Sequence, residues 1–456
     1  MNLLDQIRDA GIVGAGGGGF PTHAKLSAKA DYIILNGAEC EPLLRVDQQL
    51  MELYADQVIR GFVAAGRLVQ AQKALIGIKK KHKKVISIMR EHIHAMNENS
   101  FVEIHELTDA YPVGDEHVLV FELTGRIVPE AGIPIHVGCV VINSETALNI
   151  DLAEQGKPVI EKYITLAGDV PNPVTVKVPV GMPLRDLIKL SGIDSLDGYK
   201  IIDGGPMMGD LLLDHALGAY DAIPINHVNG FVTKKTKGLV ILKEDHPLVR
   251  KKLVKSEQAR RVNRATCEQC RMCTDVCPRY LLGHNMQPHK IMRAMAYEID
   301  ELECLKEALL CSQCGVCELF SCPVGLYPKQ ANLYFKERLM AQNIRYERNK
   351  DEFEAQSMRQ YRQVPSKRLI VRLGLIDFDK PAPFTEAPIY PDSFRIMTRH
   401  HVGAPAMPIV STGDHVYAGQ MIGRIPDDSL GAAIHASVSG VVTDVTDDWI
   451  TIQRHH

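Results

Sequence analysis

The spacing of apolar residues changes several times along the chain, and each change predicts a different kind of element. In residues 1–150, short apolar runs such as "YIILN" (32–36) and "ALIGI" (74–78) predict buried strands, and "VISIMREHI" (85–93) predicts a helix. From about residue 161 the pattern predicts short alternating strands, a turn and one helix. Between 281 and 310, apolar residues recur at steps of three and four, which predicts a helical region. The chain is therefore expected to be multidomain, with α/β units followed by an α unit.

Composition and charge limit the classes of function that the chain can have. Its 456 residues are too many for one hydrophobic core, so about three or four domains of ordinary size are expected. The net charge is -3, and the one dense basic run, "KKKHKK" at 79–84, lies between a predicted strand and a predicted helix, so nucleic acid is not an expected partner. No apolar stretch approaches the roughly 18 residues of a membrane span, and no signal peptide precedes the first motif. We therefore expect a cytoplasmic protein without a membrane span.

The cysteines are concentrated in two compact runs that each end in Cys-Pro. In a reducing cytoplasm such runs indicate metal binding rather than disulfides. They favour iron–sulfur clusters over structural zinc, because zinc ribbons usually pair two C-x-x-C hooks and because soft thiolates suit iron. The first run contains Cys267, Cys270, Cys273 and Cys277, and the second contains Cys311, Cys314, Cys317 and Cys322.

The last cysteine of each run is expected to bind the cluster of the other run, as in two-cluster ferredoxins. Cys322 would then complete the first 4Fe-4S cluster, and Cys277 would complete the second. The second run has four residues instead of three before its last cysteine, so the assignment without exchange stays open. The helical spacing between the runs resembles a helical ferredoxin domain with two 4Fe-4S clusters.

The N-terminal segment contains a second candidate site. "GAGGGGFPTHAK" at 14–25 is rich in glycine, so its backbone amides can approach a phosphate closely, and Lys25 adds a positive charge. The loop fits neither the Walker pattern nor the dinucleotide fingerprint. The predicted strand that follows it ends at Asn36 and is followed by Glu39 and Glu41, at the edge where open α/β sheets bind ligands.

These segments resemble the flavoprotein subunit of respiratory complex I and, more strongly, the C subunit of Rnf electron-transport complexes. "YPVGDE" at 111–116 and "NSET" at 143–146 are similar to two further segments of that family. The resemblance implies a Rossmann-like domain that binds FMN and NADH. The implied cofactor-binding residues are Gly14, Gly16 and Lys25 at the flavin phosphate side, Gly17 in the same loop, Phe20 and Glu41 at NADH, Asn36 and Glu39 at the flavin, and Tyr111, Gly114, Asp115, Glu116, Asn143 and Thr146 in the two further segments. Complex I flavoproteins carry arginine where this chain has Ala15, which implies a different grip on the phosphate.

Two later segments complete the resemblance. The strands after residue 161 resemble the small β-grasp (SLBB-like) domain of the same relatives, and "GGPMMG" at 204–209 is expected to be a packing turn against the flavin domain. The C-terminus resembles an all-β barrel-sandwich hybrid domain of the biotinyl/lipoyl type. Its expected hairpin tip, "DDSLGAAIHASVSG", has no carrier lysine, which implies a noncovalent docking module.

The position of that module at the end of the chain resembles the cobalamin reductases of propanediol-utilisation microcompartments. The expected domains are an FMN/NADH-binding domain at 1–157, a β-grasp domain at 158–240, a helical ferredoxin domain at 255–340, a linker at 341–395 and a barrel-sandwich domain at 396–454.

The resemblance implies an NADH-dependent oxidoreductase that passes electrons from NADH through FMN and two 4Fe-4S clusters to cobalamin. FMN suits this position because it exchanges two electrons with NADH and single electrons with a cluster, and no catalytic acid, base or nucleophile is expected. The implied partners are NADH, cobalamin as a transient acceptor, an adenosyltransferase and the shell proteins of a bacterial microcompartment. Two alternatives stay open: an Rnf-type electron-input subunit that reduces ferredoxin or quinone in a membrane complex, and a non-enzymatic electron carrier that has lost flavin.

Overall fold

The computed structural model of the protein describes residues 2–212, 230–299, 301–348, 350–386 and 391–455. The stretch 213–229 of the predicted β-grasp domain therefore lies outside the described residues. The chain forms an α/β domain, a mixed-sheet domain, a helical region and a final pair of small sheets, which confirms the predicted fold class.

A four-stranded parallel sheet with the order β3-β2-β1-β5 forms the N-terminal domain. Its strands are β1 (Tyr32–Asn36), β2 (Lys73–Lys79), β3 (Val102–Leu107) and β5 (Cys139–Asn143), and the short β4 (Ala110–Tyr111) lies outside this sheet. Its helices are α1 (Leu3–Asp9), α2 (Thr22–Lys25), α3 (Val46–Leu53), α4 (Ala55–Leu68), α5 (Lys83–Ala95), α6 (Glu116–Thr124) and α7 (Ser144–Glu154), with a 3-10 turn at Pro134–Val137.

Two features of this domain place the candidate site. Helices α4 and α7 pack closely because Gly61 has no side chain: a Cβ there would lie 1.9 Å from the Ala147 carbonyl oxygen. The central strand β1 lies between β2 and β5, in parallel register that sets Asn36 beside Asn143. Both residues therefore stand at the carboxyl edge of the sheet, where such sheets bind ligands.

The second domain is built on a six-stranded mixed sheet with the order β12-β7-β6-β10-β8-β9, in which β12 (Phe384–Glu386) comes from a later segment of the chain. Alternating residues of its first two strands, such as Ile164, Leu166, Val176 and Val178, belong to one core, which fits the predicted period of two. Its elements are β6 (Glu161–Gly168), β7 (Val174–Pro179), α8 (Leu184–Lys189), β8 (Tyr199–Asp203), β9 (Asp210–Leu211) and β10 (Gly238–Lys243).

The helical region follows, and several of its helices begin with a proline, a residue that suits the first helical position because its missing N–H would be unpaired there. His284, which follows the first cysteine run, is 2% exposed. Its Nε2 bonds the Val128 carbonyl oxygen at 2.9 Å, which ties this region to the N-terminal domain. The elements are α9 (Pro247–Leu253), α10 (Ser256–Thr266), α11 (Met272–Asp275), α12 (Pro278–Leu281), α13 (Pro288–Ala296), a 3-10 helix at Leu302–Leu310, a π-helical turn at Cys317–Ser321 and α14 (Pro328–Ala341).

The segment 341–395, expected to be a linker, also completes two neighbouring domains. Its β11 (Val364–Pro365) pairs with β4, and its β12 (Phe384–Glu386) extends the second domain's sheet beside β7. Between them, α15 (Ser366–Arg372) buries Leu369, and 3-10 turns lie at Arg359–Tyr361 and Ile376–Phe378. The segment therefore does more than connect two domains, because an exposed strand edge can pair with an extended segment of the chain.

The C-terminal domain consists of two small sheets with the orders β13-β19-β18-β15 and β14-β16-β17. Phe394, Ile434 and Ile450 of this domain share one buried core with Val176 and Ile241 of the second domain, so the two domains are packed together. The strands are β13 (Ser393–Met397), β14 (Met407–Pro408), β15 (His415–Val416), β16 (Met421–Arg424), β17 (Ile434–His435), β18 (Gly440–Val445) and β19 (Trp449–Arg454). Within the described ranges, no helix has the length and apolar character needed to cross a bilayer.

Candidate flavin and cluster sites

A cavity of about 690 Å³ opens where the N-terminal, second and C-terminal domains meet. We call it the interdomain cavity. Ten of the predicted cofactor-binding residues line it: Gly16, Gly17, Asn36, Glu39, Glu41, Tyr111, Gly114, Asp115, Glu116 and Asn143. The structure therefore brings together residues from four separated motifs of the sequence.

Close backbone approach shapes the floor of the cavity. A Cβ on Gly16 would lie 2.7 Å from Asn143 Oδ1, whereas added Cβ atoms on Gly17 and Gly18 would meet nothing within 4 Å. Asn36 Nδ2 donates a 2.8 Å hydrogen bond to the Gly114 carbonyl oxygen, which fixes the end of β1 against the loop before α6. The glycine loop thus leaves an open surface of backbone over the sheet edge, as a bound flavin requires.

Four of the predicted residues, Gly14, Phe20, Lys25 and Thr146, do not line the cavity. The Gly14 amide donates to the Phe20 carbonyl oxygen at 2.9 Å and closes the loop. The Thr146 hydroxyl accepts from the Ala15 amide at 3.1 Å. Lys25 Nζ donates to the Val141 carbonyl oxygen at 2.8 Å and pairs with Glu116 at 3.1 Å. These contacts hold the glycine loop in shape.

A buried carboxylate pair and a lysine form one wall. Lys237 Nζ lies 3.0 Å from Glu39 Oε2 and 2.6 Å from Asp47 Oδ2. Burial raises the pKa of Glu39 to about 7, although the charge of Lys237 acts in the opposite direction. Lys237 therefore partly offsets the effect of burial on a residue predicted to contact flavin. Sequence reasoning missed Lys237 and Asp47, because neither belongs to a recognisable motif.

Glu41 is held by the "GGPMMG" loop that follows β8. Its carboxylate accepts hydrogen bonds from the amides of Met207 and Met208 at 2.8 and 3.0 Å. A Cβ on Gly205 would lie 2.1 Å from Glu41 Oε2, so only glycine permits this approach. The predicted contact with the flavin domain is present, and Gly204, Gly205, Met208 and Gly209 also line the cavity. The loop is therefore part of the candidate site, a role that its sequence alone did not favour.

Tyr111 connects the cavity to the helical region. Its hydroxyl donates a 2.8 Å hydrogen bond to the carbonyl oxygen of Cys314, and both residues line the cavity. Asp115 makes a second connection, because both its oxygens accept from Arg279, at 2.5 and 3.1 Å. Burial tends to raise the pKa of Asp115, but Arg279 outweighs it and holds this pKa below its ordinary value. The Asp115 carboxylate is thus occupied by an interdomain ion pair.

The eight predicted cysteine ligands fall into two spatial groups that each combine both runs. Cys267, Cys270, Cys273 and Cys322 line one small cavity. In the other group, burial raises the pKa of the Cys277 thiol, and the neighbouring Cys314 and Cys311 raise it further. Cys317 completes this group, because Cys314 and Cys311 are the charged neighbours that most raise its pKa after burial. The ligand exchange predicted from the sequence is the arrangement that this grouping favours.

The donor sets, four thiolates in each group, suit iron–sulfur clusters. Among the residues that the structure describes, no three His, Cys, Asp or Glu side chains are placed to share one ion. In a 4Fe-4S cluster each cysteine binds a different iron, so four thiolates must surround a wider space. Burial and the neighbouring thiols raise the pKa of Cys273 to about 12, so deprotonating this thiol costs free energy. Coordination to iron would offset this cost by stabilising the thiolate.

Four family models match successive parts of the chain. Residues 7–152 match the Nuo51 FMN-binding domain and residues 163–211 the SLBB domain. Residues 266–327 match a 4Fe-4S dicluster domain, and residues 380–455 match the RnfC barrel sandwich hybrid domain. The prediction of FMN and two 4Fe-4S clusters is confirmed.

The cobalamin reductase PduS of Citrobacter freundii is 41% identical to this chain, covering 100% of this chain and 97% of the relative. This chain belongs to the cobalamin reductase PduS family. The relative of the same name from Salmonella typhimurium is 40% identical and covers 99% of this chain and 96% of its own length. The C subunit of the Na(+)-translocating ferredoxin:NAD(+) oxidoreductase complex of Acetobacterium woodii is 33% identical over 62% of this chain and 59% of its own length. The family predicted from the motifs is confirmed.

Membership of the PduS family, with FMN-binding and dicluster domains, makes this chain an iron–sulfur flavoprotein oxidoreductase. The backbone and the side chains of its site make different contributions. The glycine loop and the sheet edge leave room for a planar cofactor, and buried carboxylates are held by Lys237 and by the Met207 and Met208 amides. Among the described side chains of the cavity we identify no pair arranged for nucleophilic catalysis, and hydride transfer requires none.

Proposed function

We propose that this protein is an NADH-dependent cobalamin reductase. The observation that carries the proposal is the interdomain cavity, in which the glycine loop, Glu39 and Glu41 share one space with Cys314 of the second cysteine run. Such a cavity suits a flavin that receives electrons from a nucleotide and delivers them to a cluster at its edge. The name shared by the relatives that match nearly all of this chain supports cobalamin as the acceptor.

The residues of the cavity have distinct roles in this proposal. Gly16, Gly17, Asn36 and Asn143 would hold FMN, and Glu41 would face NADH. When bound, FMN accepts two electrons as hydride and releases them singly. Lys237 keeps the buried Glu39 carboxylate paired, and Tyr111 holds the backbone of Cys314 against the cavity.

The two cysteine groups would act in a fixed order. The group that contains Cys314 adjoins the interdomain cavity, so these cysteines would hold the cluster nearer to the electron donor. The group that contains Cys270 is nearer to solvent, since Cys270 is exposed. The cysteines of the Cys270 group would therefore hold the cluster that an electron acceptor in solution can approach.

The acceptor would dock transiently. Proteins that ligate cobalamin through histidine carry an Asp-x-His-x-x-Gly motif, and the nearest stretch here, "DEHVLV" at 115–120, ends in valine. Asp115 in that stretch is engaged with Arg279. We further propose a cytoplasmic location inside a bacterial microcompartment, with an adenosyltransferase and shell proteins as partners.

One anaerobic preparation with its iron and flavin contents measured tests the proposal. We expect NADH to reduce cob(III)alamin in proportion to the FMN content. Turnover only with ferredoxin or a quinone analogue would contradict the proposal and favour the Rnf-type alternative. Flavin-free protein with no turnover on either acceptor would favour the electron carrier.

A further inference from the structure

The end of the interdomain cavity beside the glycine loop carries positive charge from outside the flavin domain. Lys235 lies on the segment that precedes β10, and Arg399 and His400 follow β13 in the C-terminal domain. All three residues line the cavity, and none belongs to a motif that predicted the site. The cavity therefore has cationic groups that an anionic ligand could use.

The two loops that carry these residues press against the glycine loop. The Val402 amide donates a 2.9 Å hydrogen bond to the Gly19 carbonyl oxygen. A Cβ on Gly19 would lie 2.6 Å from Lys235 Cδ and 3.1 Å from the His400 carbonyl oxygen. Because Gly17 and Gly18 face open space beside this contact, a ligand on the glycine loop would be within reach of both loops.

His400 has a buried ring nitrogen that makes no hydrogen bond of ordinary geometry. The residue is 0% exposed, and its Nδ1 accepts a 3.3 Å hydrogen bond from the Lys234 amide. This bond assigns the ring proton to Nε2, which makes no hydrogen bond of ordinary geometry to the described residues, although the Met397 backbone also interacts with the ring. A buried donor left unpaired costs free energy, so an acceptor from a ligand would stabilise this arrangement.

The two cations are also available. In the part of the chain that the structure describes, neither Lys235 nor Arg399 forms a salt bridge, and both are exposed. The charge of Lys235 acts against the burial that raises the pKa of Asp203, a carboxylate that also lines the cavity. A guanidinium and an ammonium beside a neutral imidazole N–H form a donor set typical of phosphate recognition. Backbone amides of a glycine-rich loop add further donors of the same kind.

We propose that Lys235, Arg399 and His400 bind a phosphate group of a nucleotide in the interdomain cavity. The proposal rests on the proposed function, which places FMN and NADH there, and it gives the C-terminal domain a binding role. The phosphate is either the diphosphate of the dinucleotide or the monophosphate of FMN. Both phosphates present the same oxygen acceptors, so the donor set indicates a phosphate group without indicating which nucleotide carries it. Binding measurements separate the two sources.

The test uses the full chain with Arg399→Gln and Lys235→Gln. The affinity of flavin-free protein for FMN is measured by fluorescence quenching. The affinity of FMN-loaded protein for ADP-ribose, which has the diphosphate but no nicotinamide, is measured by calorimetry. We expect each variant to weaken one of the two affinities by about tenfold, since a charge-assisted hydrogen bond is lost. Weaker ADP-ribose binding assigns the site to the dinucleotide, and weaker FMN binding assigns it to the flavin phosphate.

Two further variants sharpen the test. Arg424→Gln is the matched control, because Arg424 is a half-exposed cation of the same domain that pairs with Asp427 and does not line the cavity. His400→Asn keeps an acceptor for the Lys234 amide but removes the Nε2 donor, and it should weaken the same affinity as Arg399→Gln. Wild-type affinities for both ligands in Arg399→Gln and Lys235→Gln would overturn the proposal. These equilibrium measurements need no turnover, so they test the phosphate site alone. Failure to oxidise NADH would contradict the proposed function and leave the binding result unaffected.

Discussion

Cys277 and Cys322 each end one cysteine run, and each lies with the first three cysteines of the other run. The two residues are equivalent in sequence pattern but not in position. Cys277 belongs to the group beside the interdomain cavity, and Cys322 belongs to the group that contains the exposed Cys270. Replacing each in turn therefore separates the functions of the two clusters.

We expect Cys277→Ala and Cys322→Ala each to lose about half of the iron, because one cluster lacks a ligand in each variant. In Cys277→Ala, NADH should no longer reduce the remaining cluster, although dithionite should. In Cys322→Ala, NADH should still reduce the cluster beside the cavity. Electron paramagnetic resonance of anaerobic samples checks this, and identical behaviour of the two variants would contradict the assigned order.

A second prediction at this scale concerns Gly16. Gly16→Ala should lower the flavin content, because its Cβ would lie 2.7 Å from Asn143 Oδ1 and displace that side chain. Gly125→Ala is the control: φ there is +70°, and an added Cβ meets nothing within 4 Å. It should cost about 1 kcal/mol of stability through backbone strain and keep its flavin. Flavin retention by Gly16→Ala, measured after denaturing release, would exclude the proposed packing.

Short helices connect the flavin domain to the cluster region. Arg279 lies on α12, two residues after Cys277, and its guanidinium pairs with Asp115 at the N-terminus of α6. The side chains are only 10% and 14% exposed, so water screens the pair weakly. Asp115 also accepts from the amides of His117 and Val118, which stabilises the start of α6. The Asp115 carboxylate thus stabilises both the start of α6 and the interface between the two domains.

We expect Arg279→Met to reduce the free energy of unfolding by about 3 kcal/mol, because it leaves the Asp115 charge buried without its partner. Asp115→Asn in the Arg279→Met background should recover part of this loss. Thermal unfolding of the four proteins of the cycle measures the coupling. Additive effects of the two substitutions would show that the pair does not connect the domains.

At the scale of the whole molecule, the second domain lies between the flavin domain and the C-terminal domain. Lys234 reaches both: its Nζ donates to the Gly11 and Ala433 carbonyl oxygens at 2.7 and 2.8 Å. Burial lowers the pKa of Lys234 to about 7 from 10.5, and a neutral amine has two hydrogens for these two acceptors. Buried His400 and His435 lie nearby, and burial, reinforced by Lys234, lowers the pKa of each.

This junction predicts a pH dependence of stability. Between pH 7 and 10.5 the unfolded chain holds a proton on Lys234 that the folded chain does not, so stability rises with pH, by up to about 1.4 kcal/mol per pH unit. This added stability is lost as the pH falls towards 7. Melting temperatures from pH 7 to 9 should therefore increase more for the wild type than for Lys234→Met. Parallel curves would mean that Lys234 is charged in the folded protein.

The sequence by itself determined the chemistry of this protein. The cysteine runs, the glycine loop and the acidic residues after β1 are local patterns, and local spacing is enough to indicate clusters, a phosphate-binding loop and a sheet edge. The family and the fold class followed from the order of these patterns.

Only the tertiary structure decided which groups meet. Cys322 joins Cys273, Cys314 faces the interdomain cavity, and Lys237, Arg399 and His400 enter it from two other domains. These residues stand outside the motifs that predicted the flavin site, because their positions depend on packing between segments far apart in the chain. The strand pairing of the segment 341–395 could not be predicted from the sequence for a related reason. Pairing at a sheet edge uses backbone groups, which every residue but proline carries in full.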